Sequence, residues 1–142
     1  MEIWAIITPL IKVLLYILSF LAVGTGLFIL HFRSLLSQPT FAYCCKLVSK
    51  ASLIGSIIAP LLLLMTAGNI GGDLQSAFDP LMISIALSSK AGQSILVLFF
   101  GFLLVLLWIS PFQNQRLIPG ILGFAFILSS FSLYGHSTIN GF

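Results

Sequence analysis

"IKVLLYILSFLAVGTGLF", residues Ile11 to Phe28, decides the fold. The run carries one charge, Lys12 near its start, and its apolar character continues to Leu30. A helix needs about 20 apolar residues to cross the hydrocarbon of a bilayer, and this stretch supplies them. Lys12 stands one turn inside, where its stem can snorkel back to the interface. Thr8-Pro9 reads as the helix start, with a hydroxyl to cap and a proline in the first turn. Trp4 then lies in the aromatic belt.

The rest of the chain repeats the message. Hydrophobic residues make up 59% of its 142 residues and charged ones 6%, against about 25% charged in a soluble domain. Six basic and three acidic side chains cannot cover a water-facing surface, so lipid must solvate the protein. The start, "MEIWAII", is acidic where a cleavable leader is basic, and the first segment reads as retained. A net charge of +3 with scattered basic residues gives no nucleic-acid surface.

The expected architecture is an all-α integral membrane protein, one transmembrane domain over residues 1–142. Four spans are placed at about 9–30, 47–68, 92–109 and 117–134. Pro60 falls in mid-span two, where it removes a backbone hydrogen bond. Asp79-Pro80 opens a helix, "LMISIALSS", too short to cross. It is expected in the outer headgroup layer or dipping into the bundle, between the second and third spans. Ser110-Pro111 ends span three, and Phe112 to Arg116 makes a turn. Small residues recur every fourth position, at Ala22 and Gly26 and at Ala51, Gly55 and Ala59, a spacing that lets helices approach closely in lipid.

Lysine and arginine set the orientation. Arg33, Lys46, Lys50 and Arg116 border the first and third loops, whereas Glu2, Asp73 and Asp79 lie on the other side with Lys90 and Lys12. The first and third loops are therefore expected in the cytoplasm and both termini outside. His31 and Arg33 are read as anchors against anionic headgroups.

Catalysis finds no machinery. No acid falls inside a span, no serine has a histidine and an acid to activate it, and the phosphate-binding glycine motifs are absent. The chain is read as a non-enzyme. Haem held by two histidines is excluded, because His31 and His136 fall at opposite ends of the spans, about 30 Å apart. Methionine-histidine ligation stays open, although no haem is expected.

Copper fits better. Cu(I) takes thioether, thiolate and imidazole ligands. Met65, Met82 and His136 all fall at the outer side, with Asp73 and Asp79 to attract cations. Methionine is also ordinary core filler, and a histidine after Gly135 is also a natural polar helix end. Cys44-Cys45 reads as free thiols that point about 100° apart on a helix, which disfavours chelation.

Four stretches resemble the copper-resistance protein D (CopD) family of bacterial inner-membrane proteins, in its N-terminal half. "IKVLLYILSFLAVGTGLF" is similar to that family's first helix, and "LLLLMTAGNIGGD" to the end of its second. "LSSKAGQS" resembles the opening of its third, and "SLYGHST" the Gly-His ending of its fourth. The resemblance implies copper import or copper resistance at the bacterial inner membrane, with His136 matching a family histidine. It also implies a periplasmic copper-binding partner. Two departures stand out. The family's first helix often carries a histidine just before Tyr16, where this chain has Leu15. Family members are also longer, with further helices, so the chain is a fragment, a short form pairing with a second membrane half or a second copy, or a relative without transport. A competing reading is a non-catalytic membrane scaffold whose Ala51-Gly55-Ala59 row faces a partner chain.

Overall fold

A computed structural model describes residues 2–110 and 117–135. It is helical throughout the described residues. Helices α1 (Glu2–Phe32) and α2 (Gln38–Gly71) form a long hairpin, followed by a 3-10 turn (Gln75–Phe78). The short α3 (Pro80–Ser88), α4 (Lys90–Ile109) and α5 (Leu117–Gly135) complete the chain. Among the described residues, three helical stretches are long and apolar enough to cross a membrane: Ile6–Phe32, Gln38–Gly71 and Lys90–Ile109. The apolar part of α5, Leu117–Leu133, is shorter. The break at Pro111, the turn through Arg116 and the ending from His136 lie outside the described residues.

Both long helices begin earlier than the hydrophobicity pattern indicates. In α1 the helix starts at Glu2 and runs through Pro9. Thr8 therefore does not cap: its hydroxyl is buried with no hydrogen-bond partner. In α2 the helix starts at Gln38 rather than near residue 47. Ser37 holds an extended backbone there, its hydroxyl bonded to that of Thr40 at 2.8 Å, and Pro39 is pre-set for a first turn. The polar residues up to Lys46 thus continue a helix instead of forming a loop. At 34 residues α2 is about 51 Å long, which exceeds the hydrocarbon thickness of about 30 Å. Pro60 lies inside α2 and does not end it.

Packing runs in the order α1, α2, α4, α5, each against the next, whereas α1 and α5 meet only briefly. The core is built from large side chains set against small ones. The Phe102 ring of α4 covers Gly55, the Phe124 ring of α5 covers Gly26, and Trp108 of α4 lies over Gly120 of α5. Ala51 and Ala59 are buried with Gly55. The small-residue row of α2 is therefore buried within the chain's own bundle. Large apolar side chains cover the outside, Phe20 at 74% exposure among them, as a lipid-solvated surface requires.

The corners are tightly made. Gly72 ends α2 in the left-handed region (φ 83°), its N–H bonding the Gly68 carbonyl at 2.9 Å, a conformation that costs glycine least. Asp79 caps α3 through Leu81 N–H at 2.9 Å. Ser89 alone links α3 to α4: its oxygen accepts from Gly92 N–H at 3.0 Å. Gly92 packs so closely on the Ala86 carbonyl that no side chain fits between them.

Candidate functional site

The end of the bundle holding the α2 to α3 corner gathers Asp73, Asp79 and Met82. Each carboxylate is engaged in holding the backbone. Asp73 Oδ1 accepts from Ser76 N–H at 2.7 Å, and hydrogen bonds from the Ser76 hydroxyl and amide hold its pKa below the usual carboxylate value. Asp79 is the α3 cap. Capping uses one lone pair or so of each group, and a carboxylate has several. Both aspartates therefore keep acceptor capacity and charge at this end. Asp73 is exposed and Asp79 half-buried.

Met82 is half-buried on the first turn of α3, with its Cγ 3.6 Å from the point where a β-carbon on Gly71 would stand. Its thioether thus sits at the α2 terminus beside the aspartate corner. Met65 lies deeper. It is six residues before Gly71, about 9 Å down the helix, and is buried in the α2 face that meets the bundle. The structure brings Met82 to the aspartates and leaves Met65 recessed. His136 lies outside the described residues; it follows Gly135, the last residue of α5. Among the described residues, no three histidine, cysteine, aspartate or glutamate side chains form a metal-sized cluster.

Below this end the four long helices converge on a small cavity of about 30 Å³, walled by Lys12, Leu15, Leu62, Ser94, Leu98 and Ser130. It has room for a water or two. The Ser94 hydroxyl donates to the Ser130 carbonyl at 2.7 Å and ties α4 to α5. The Ser130 and Ser19 hydroxyls bond carbonyls of their own helices at 2.7 Å. Leu15, one of these walls, is 1% exposed. Sequence reasoning missed the Ser94 to Ser130 tie. Serines are common in membrane helices, and nothing in one sequence pairs two of them across helices.

Cys44 is buried and Cys45 half-buried, both as free thiols in α2. Cys45 helps wall an apolar slot against Ile29 and Trp108, a packing role.

Comparison with known proteins gives one result. The family described as copper resistance protein D-like, N-terminal domain, matches residues 1–141. Neither the curated proteins nor the solved structures contain a match. A helical chain rich in membrane-spanning apolar segments, matched over nearly its whole length, belongs to the copper resistance protein D-like family and is a copper-related, multi-pass membrane protein.

Proposed function

We propose that this chain handles copper at the bacterial inner membrane, in import or in resistance, and that the metal enters at the aspartate end. His136 and Met82 serve as the first ligands, with Met65 a deeper thioether. The family match over residues 1–141 carries this reading. Copper is cargo here, and the protein is not an enzyme. No haem is part of the mechanism.

In this reading α5 is the fourth crossing. Its 19 residues make about 28 Å of helix, close to the hydrocarbon thickness of about 30 Å. The short α3 lies in the outer headgroup layer, and both termini face the periplasm. Asp73 and Asp79 raise the local cation concentration, and soft donors then select Cu(I). The small cavity and the buried Leu15 support handling at the rim over conduction through this chain alone. A periplasmic copper-binding protein delivers or receives the ion, and a second membrane half or a second copy completes the route.

Copper accumulation in cells carrying His136→Ala or Met82→Leu tests the site, together with silver binding to the purified protein as a Cu(I) mimic. Both variants are expected to lower accumulation and silver affinity by roughly tenfold or more, the loss typical of an altered ligand shell. Wild-type uptake in both removes the site. The alternative is a non-catalytic scaffold that packs against a partner chain; the burial of the Ala51-Gly55-Ala59 row in the chain's own bundle, with Gly55 under Phe102 of α4, speaks against that row as its docking face.

A further inference from the structure

At the opposite end from the aspartates, the turn between α1 and α2 is small and well braced. Leu35 and Leu36 N–H both bond the Phe32 carbonyl, at 2.9 and 3.1 Å. Arg33 leaves this turn and lays its guanidinium over the Phe41 ring, 5.8 Å from the centroid. That is within the range of a cation–π contact, which favours this placement of the cation. Arg33, Leu36, Gln38 and Phe41 line an open surface pocket of about 130 Å³. Beside it, sharing Arg33 and Phe41, lies an apolar slot of about 30 Å³ walled by Ile29, Leu30, Cys45 and Trp108.

We propose that this pair of cavities binds the phosphate of an anionic phospholipid, with the phosphate in the Arg33 pocket and the first methylenes beyond it in the slot. Charge points to an anion. Arg33, Lys46 and Lys50 are all exposed near this end, and the three acids of the sequence, Glu2, Asp73 and Asp79, belong to segments at the other end. Among the described residues no carboxylate borders the Arg33 pocket. The donors suit phosphate: a planar fork of N–H groups from Arg33 and an amide N–H₂ from Gln38. The surroundings point to a lipid rather than a free ion. Leu35, in the same turn, is 80% exposed and Phe32 is 39% exposed, and such side chains belong in hydrocarbon. The pocket therefore sits at the boundary between acyl chains and headgroups, where lipid phosphates lie.

Native mass spectrometry of the purified protein in neutral detergent tests this, with phosphatidylglycerol and phosphatidylcholine of identical acyl chains as probes. The wild type is expected to retain phosphatidylglycerol in preference. Arg33→Gln is expected to cut that retention roughly tenfold, the loss of a charge-assisted contact. Phe41→Leu keeps the charge, removes the ring beneath it, and is expected to cut retention less. Lys50→Gln, away from the pocket, is expected to leave the preference intact. Arg33 is exposed, so its variant is expected to unfold at the wild-type temperature. Equal retention of the two lipids by the wild type overturns the proposal, as does an unchanged preference in Arg33→Gln. Displacement of the lipid by millimolar inorganic phosphate would assign the pocket to a soluble anion and overturn the lipid assignment.

Discussion

The edge of the Phe102 ring lies 2.5 Å from the point where a β-carbon on Gly55 would stand. Phe102 is fully buried, so α4 meets α2 at this contact with no room to yield. Gly55→Ala forces the ring or the helix to shift, and overpacking of this kind costs about 1–3 kcal/mol. Thermal unfolding in detergent should show the loss. Phe102→Leu in the same chain should recover part of it, because the two positions are coupled. Strictly additive effects would contradict the contact.

Two other glycines make a paired test. A β-carbon at Gly92 would meet the Ala86 carbonyl, whereas one at Gly24 would meet nothing within 4 Å. Gly92→Ala should therefore destabilise the protein by about 1–3 kcal/mol and loosen α3 from α4. Gly24→Ala should be neutral or stabilise by up to about 1 kcal/mol, by restricting the unfolded chain. Unfolding temperatures that rank the two the other way would refute the α3 to α4 corner.

Acid should loosen the turn after α2. The Ser76 hydroxyl and amide hold the Asp73 carboxyl below its ordinary pKa. Its folded value is thus the lower one. The stabilisation is fully present above the unfolded carboxylate pKa of about 3.9 and is lost as pH falls through the folded value. Amide protection at Ser76, corrected for intrinsic exchange, should fall on acidification below about pH 4. Asp73→Asn should lack that acid step. Identical acid profiles in the two proteins would show that the carboxylate is not responsible.

Much of the fold is legible in single residues. Asp79-Pro80 marks the start of α3, and the glycines after Ile70 mark the end of α2, because capping chemistry is local. The Ala51-Gly55-Ala59 row signals close packing, but its partner ring at Phe102 lies on another helix and no single sequence names it. The starts of α1 and α2 are obscured by the same habit of reading: polar residues beside an apolar run suggest a loop, whereas a long helix carries them outward. At the candidate site, the placement of Met82 beside the aspartates follows from topology. The burial of Met65 does not, because either face of α2 is apolar enough to hold it.

The weak meeting of α1 and α5 bears on how the protein is made. Each long helix after the first packs broadly on one synthesised before it: α2 on α1, α4 on α2, and α5 on α4. Insertion from the ribosome can therefore proceed without waiting for a distant segment, and α5 adds to a scaffold already assembled. A cleft of about 470 Å³, walled by Phe20 and Val23 of α1 and by Ile127 and Leu128 of α5, lies along the seam between the first of these helices and α5.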